Sequence, residues 1–210
     1  MKTVFHPANE RGHADFGWLN AHHSFSFGHW YDPQKIHFGA LRVLNDDLIQ
    51  AGAGFPEHPH DNMEIVTIPL QGAIAHKDST GGNGVIKTGD VQIMSAGSGI
   101  RHSEYNASNS ELLNLLQIWV FPKQKNIQPR YDQKTYDENE RKNKWQMVVS
   151  PDKENGSLWI NQDAVFALTN IDGGTTISYN KKFSYNGIYL FVIDGSVTIN
   201  DITLNKRVAL

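Results

Sequence analysis

Four residues of this chain stand at spacings suited to holding a metal ion. His58 and His60 form a His-x-His pair, and His102 and Glu104 form a His-x-Glu pair. Along a β-strand, residues two apart share a face. Each pair can therefore aim two ligands at one point, and two facing strands would close a four-ligand site. No histidine follows His102 through Leu210. The spacing predicts a single metal centre in the first half, with no histidine-built counterpart in the second.

Neutral imidazole and carboxylate donors suit one divalent transition metal, whether Fe, Ni, Cu, Zn, Mn or Co, and affinity alone follows the Irving–Williams order. The absence of cysteine excludes thiolate ligands, zinc ribbons, disulfides and thiol nucleophiles. Read blandly, the three histidines would be ordinary residues of polar turns, and two ligand pairs together weigh against that. The other histidines invite a packing role. His6, His13, His22, His23, His29 and His37 lie among Trp18, Phe25, Phe27, Trp30 and Tyr31, and His76 lies in a strand-to-turn segment. Gly81–Gly84 lacks the Lys-Ser/Thr of a phosphate loop.

Strands are what such pairs require, and the chain is rich in strand signals. Gly52-Ala53-Gly54, Gly81-Gly82-Asn83-Gly84, Thr88-Gly89-Asp90, Gly97-Ser98-Gly99, Asp172-Gly173-Gly174 and Asp194-Gly195 punctuate it. Between the turns lie β-rich runs at 63–70, 91–94, 112–121, 147–150, 165–168, 175–179, 188–193 and 197–199. Many short strands with glycine-rich turns predict an all-β sandwich or barrel. Leu112–Phe121 is almost continuously apolar, as expected of a strand buried on both faces. Asp194-Gly195 predicts a type I′ hairpin joining 188–193 to 197–199.

At 210 residues the chain has room for one large β domain or two small ones. A hydrophobic fraction of 39% against 20% charged residues supports a folded core. A formal net charge of −3 argues against a dominant nucleic-acid surface. The N-terminus turns polar by Asn9-Glu10-Arg11, and no run approaches the ~18 apolar residues of a membrane span. The expectation is a soluble cytoplasmic protein with no membrane partner. Residues 123–144 are polar and dense in both charge signs, and are read either as a crossing between two β domains or as a solvated loop within one. One helical turn is expected near Thr135–Arg141.

Gly52, His58-Pro59-His60, Glu64, Gly89, Ser95-Ala96-Gly97, His102 and Asn106 resemble the two motifs of the cupin superfamily. The match departs in detail. Gly72 falls one place late after Glu64, Ser95 replaces a usual proline, and the gap from Gly97 to His102 is long. Residues 58–67, His76-Lys77-Asp78-Ser79 and residues 89–104 resemble the pirin family more narrowly. So do His23-Ser24-Phe25-Ser26-Phe27, Tyr31-Asp32-Pro33 and residues 41–47. The resemblance covers most of residues 11–121 and is loose beyond.

Bacterial pirins are bicupins with their metal in the N-terminal cupin. The resemblance therefore implies an all-β fold of two double-stranded β-helix (jelly-roll) barrels, the C-terminal one degenerate or incomplete. It places a metal-binding cupin in residues 1–122, and a linker with a cupin-like domain lacking a histidine site in 123–210. The chain stops soon after its last hairpin, where pirin-like chains continue. A truncated or unfinished second domain with an exposed sheet edge and lower stability is therefore expected.

Carried onto this chain, the pirin ligands are His58, His60, His102 and Glu104, and the metal implied is Fe(II). Glu64 is the rival carboxylate, because cupins in general use that position. Its expected place is beside the metal ligands, where a carboxylate can orient a ligand imidazole. The activity implied is a quercetinase-type dioxygenase, an oxidoreductase that cleaves a flavonol with O2 and releases carbon monoxide. Glu104 would take the flavonol hydroxyl proton as general base. Met63, Met94, Phe38 and Trp119 are candidates for an apolar wall, and each has core packing as the plainer reading. The alternative from another class is a non-enzymatic metal- or redox-sensing protein that binds a protein partner through the same fold. A weaker alternative is another cupin chemistry such as sugar isomerisation.

Overall fold

The computed structural model describes residues 3–153 and 156–210. Its chain winds back and forth between two antiparallel sheets before entering a looser second half. The large sheet holds β1 (Gly12–Asp15), β2 (Leu19–His23), β3 (Leu41–Ile49), β5 (Glu64–Gln71), β8 (Asp90–Ser95), β10 (Leu113–Val120) and β11 (Arg130–Thr135), in the order β1-β2-β3-β10-β5-β8-β11. The small sheet holds β4 (Gly54–His60), β6 (Ala73–Asp78), β7 (Asn83–Lys87) and β9 (Ile100–Asn106), in the order β4-β9-β6-β7. Apart from the β6–β7 hairpin, the chain alternates between the facing sheets from β4 to β10, which is jelly-roll winding.

Burial follows strand parity. On β10, Leu113 and Leu115 join Leu19, Ile49, Ile74 and Ile86 between the two sheets, while Leu116, Ile118 and Val120 pack on the opposite face. There they meet Val148, Val149, Leu158 and Ile160 of the second half. The large sheet is thus covered on both sides, which is why β5, β8 and β10 read as near-continuous apolar runs. A polar row interrupts the interior face. In register across neighbouring strands run Asn45, Gln117, Thr67, Gln92 and Gln133. This row lies beneath the candidate site.

Glycine is obligatory at one place near the site. Gly54 pairs with Tyr105, and a Cβ there would collide with the Glu104 carbonyl oxygen and Tyr105 Cα. The β4–β9 ladder also shifts register between Phe55 and His58. Such irregularities re-aim side chains.

Within the polar stretch 123–144, β11 pairs with β8, and Glu138–Arg141 forms a single 3-10 turn capped by the Asp137 side chain. The second half carries short strands. β12 (Gln146–Ser150), β13 (Leu158–Trp159) and β14 (Phe166–Leu168) form one sheet in the order β13-β12-β14. A separate hairpin joins β15 (Ser196–Ile199) and β16 (Ile202–Asn205).

Two sequence expectations are corrected here. The hairpin turn is Asn200-Asp201, at φ 48° and 66°, not Asp194-Gly195. Residues 188–193 instead meet the chain's end, with Leu190 N donating to Leu210 O and Val192 N to Val208 O, each at 3.0 Å. Both Asn-Asp and Asp-Gly tolerate positive φ, and burial of Val192 against Leu204 and Val208 selects the later turn. Residues 175–179 form no strand, since no neighbouring strand supplies partners for their backbone.

The two halves are tied by polar anchors. Arg207 Nε lies 2.9 Å from Asp46 Oδ2, and its guanidinium also donates to Asn114 Oδ1 at 3.0 Å. Asn161 N donates to the Glu64 carboxylate at 3.1 Å. Among the described residues, no helix is long and apolar enough to cross a membrane.

Candidate metal centre

β4 and β9 run side by side, and their register sets His58 directly opposite His102. The ring centroids of His58, His60 and His102 lie 4.4 to 4.9 Å apart. One ligand nitrogen from each lies within 4.8 Å of the other two, so these three can share an ion. A second group meeting the same distance is His76, His102 and Glu104, all buried. His102 belongs to both. Of the sequence-predicted residues, the three histidines converge, and Glu104 joins them through His102.

The site favours neutral, lone-pair-bearing donors. Burial pushes the His60 imidazole down to about 4, with His58 adding to the effect. Burial, then His58, His60 and His76, push His102 down to about 2. Neutral imidazole is the form that binds metal. Burial pushes the Glu104 carboxyl up to about 7, against the opposing hydrogen bond from Gln117. Gln117 Nε2 donates to Glu104 Oε2 at 2.9 Å, and Thr67 Oγ1 donates to Gln117 Oε1 at 2.8 Å. Among the four candidate ligands, two atoms are left over. His102 Nε2 and Glu104 Oε1 are buried without a hydrogen-bond partner. Buried polar atoms are normally satisfied, so orphaned donors at a point of convergence fit a ligand there.

Glu64 sits elsewhere in the network. It is fully buried, and its Oε2 accepts from Ser95 Oγ at 2.8 Å and from Asn161 N. None of its described hydrogen bonds reaches an imidazole. Trp119 packs edge-on against His60, centroids 4.9 Å apart, and against Phe27 at 5.4 Å. Met63 and Met94 pack with Trp119 in one cluster, whereas Phe38 packs at a tilt against Tyr189 of the second half. His23 binds Asn45 Oδ1 through Nδ1 at 2.9 Å. Beside His60 opens a cavity of about 370 Å³ lined by Pro59, Asp61, Ser79, Ser98, Ile100 and Arg101 among others.

The sequence reading missed His76 and Gln117 as members of this constellation. His76 carried a usable signal, since His76-Lys77-Asp78 repeats the i, i+2 logic of the two ligand pairs.

Comparison with known proteins gives the same frame. The pirin family model matches residues 4–120, and a model described as the quercetinase C-terminal cupin domain matches residues 147–210. The chain is 46% identical over 198 residues to quercetin 2,3-dioxygenase of Escherichia coli K12, covering 93% of this chain and 83% of that one. It is 42% identical over 202 residues to a pirin-like protein of Caulobacter vibrioides, covering 96% and 86%. The solved structure of the bacterial pirin YhhW from Escherichia coli in complex with nickel(II) superposes with a TM-score of 0.86 at 41% identity, covering 99% of this chain and 89% of that one. With the pirin model spanning more than half its length and the quercetinase cupin model most of the remainder, the chain belongs to the pirin family and folds as a bicupin.

Proposed function

We propose that the protein is a metal-dependent dioxygenase that cleaves flavonols with O2, its metal held by His58, His60, His102 and Glu104. The observation that supports this reading is the convergence of the His58, His60 and His102 imidazoles, with the buried Glu104 carboxylate grouped with His102 and His76, and with His102 Nε2 and Glu104 Oε1 lacking a protein partner. The nickel complex of a relative supports a transition metal, and the relative named quercetin 2,3-dioxygenase supports the reaction class. Fe(II) is the metal we assign, in a first domain of residues 1–122. Residues 123–210 would then serve as a crossing and a cupin-like second domain without a histidine site.

Bound, the metal supplies Lewis-acid and redox chemistry toward a flavonol and O2. The chain's own residues do the rest. Glu104, whose carboxyl burial raises to about 7 in the metal-free chain, would accept the flavonol hydroxyl proton. Gln117 pins Oε2 and leaves Oε1 without a protein partner, so Oε1 is the oxygen that would bind the metal and, on leaving it, take the proton. Trp119 beside His60 is the aromatic neighbour we assign to a flat ligand, and the cavity at His60, which Trp119 does not line, is the proposed way in from solvent. O2 would add to the two ring carbons that flank the hydroxyl-bearing carbon; the O–O bond and both C–C bonds to that carbon break, it leaves with its oxygen as carbon monoxide, and both O2 atoms stay in the ring-opened ester.

The test is anaerobic reconstitution with Fe(II), then quercetin and air, recording flavonol absorbance and carbon monoxide together. Coupled loss and release are expected in the wild type, and neither in His60→Ala. Turnover that survives in metal-free His60→Ala would sink the reading.

A further inference from the structure

His76 lies on β6 between His102 and Asp78, sealed from solvent. Its Nε2 is 3.0 Å from Asp78 Oδ2, and both side chains are fully buried. Its Nδ1 is 3.4 Å from His102 Nδ1. Its ring stacks on Tyr131 with centroids 4.6 Å apart and planes 24° from parallel, which fixes its orientation. Asp78 is fixed as well. Its Oδ1 accepts from Thr80 N at 2.8 Å, Thr80 Oγ1 at 2.6 Å and Gly82 N at 3.0 Å. Gly82 is required for this turn, since a Cβ there would run into the Asp78 carboxylate.

With both imidazoles neutral, these contacts leave one consistent assignment of protons. A carboxylate only accepts, so His76 Nε2 carries a hydrogen. A neutral imidazole has one N–H, so His76 Nδ1 is an acceptor. His102 Nδ1 must then donate to it. The lone pair of His102 falls on Nε2, the ring nitrogen that is buried without a protein partner.

We infer that Asp78 and His76 form a relay that locks His102 in its Nδ1–H tautomer and presets Nε2 as a metal donor. His76 and Asp78 are positioning residues, and the inference rests on the proposed reading of His102 as a ligand. Partners of this kind orient ligand rings and raise their basicity, and their loss typically weakens metal affinity about 10–100-fold.

The experiment uses full-length protein labelled with ¹⁵N in histidine, read by long-range ¹H–¹⁵N correlation, and Ni(II) affinity by chelator competition. In the wild type His102 should be in the Nδ1–H form. His76→Phe keeps the stack on Tyr131 but has no acceptor, so His102 should shift toward Nε2–H and the nickel Kd should rise about 10–100-fold. His76→Asn restores an oxygen acceptor near the Nδ1 position and should recover both readouts, which a merely structural role would not. An Nε2–H tautomer in the wild type, or an unchanged tautomer and Kd in His76→Phe, overturns the relay. A second nickel per chain that is lost in both variants would make His76 itself a ligand, and also overturns it. A wild type with the stated tautomer that binds no nickel overturns instead the metal reading beneath it.

Discussion

His58 and His102 face each other across the β4–β9 ladder with their rings 4.4 Å apart, although 44 residues of number separate them. That pairing is what turns two short sequence motifs into one site. It also makes the ladder's backbone, and the buried groups beneath it, measurable determinants of function.

Gly54 should tolerate no side chain. A Cβ would meet backbone atoms of Glu104 and Tyr105, which cannot rotate away. Gly54→Ala is expected to cost about 1–3 kcal/mol and lower the Tm by several degrees. Gly173→Ala, with nothing within 4 Å, should be close to neutral. Differential scanning calorimetry of both variants checks this, and equal melting temperatures would contradict it.

Nickel affinity should depend on pH through Glu104. Its carboxyl is raised to about 7 by burial, so below that pH a metal must displace its proton. His60, at about 4, and His102, at about 2, are already neutral and add no slope between pH 5 and 8. Affinity should climb with pH up to about 7 and flatten above. Competition titrations of the wild type and Glu104→Gln should differ in slope by one proton below that point. Identical slopes would remove Glu104 from the site.

Gln117 should tune that proton. Its hydrogen bond to Glu104 Oε2 opposes the effect of burial, so Gln117→Leu should push the Glu104 carboxyl higher. The acid limb of kcat/KM should move up, by about one unit for each ~1.4 kcal/mol of lost interaction. A pH–rate profile that keeps its acid limb in Gln117→Leu would show that Glu104 is not the base.

Asp47 should make the metal-free fold sensitive to alkali. Burial, then Asp46 and Glu104, raise its carboxyl to about 8, far above its unfolded value. The folded state therefore holds a proton that the unfolded state has lost. The resulting stability is full below about pH 4 and disappears as pH rises through about 8, at up to ~1.4 kcal/mol per unit. Asp47→Asn should lack this decline, so urea midpoints of variant and wild type should diverge as pH rises from 5 to 8. Parallel midpoints would refute the assignment.

Much of the site was legible in the sequence because strand parity is local. His-x-His and His-x-Glu each announce a shared face, and β9 and β4 display it. The almost continuous apolar run of β10 likewise announced burial on two faces. What stayed hidden depends on partners distant in the chain. Gln117 looks like a lone polar residue until β5 and β9 bring Thr67 and Glu104 to it. Glu64 lies four residues beyond His60 but on β5 of the other sheet, where Ser95 and Asn161 take its Oε2. The misplaced hairpin has the same origin. Two dipeptides could both turn, and only packing of Leu204 against Val192 and Val208 decides between them.

The most direct test of the metal centre is nickel content after loading and exhaustive dialysis, for the wild type and for His58→Ala, His60→Ala, His102→Ala and Glu104→Ala. One nickel per wild-type chain is expected, with loss of retained metal in each variant and circular dichroism unchanged. Stoichiometric nickel persisting in His60→Ala and His102→Ala would contradict it and place the metal elsewhere in the chain.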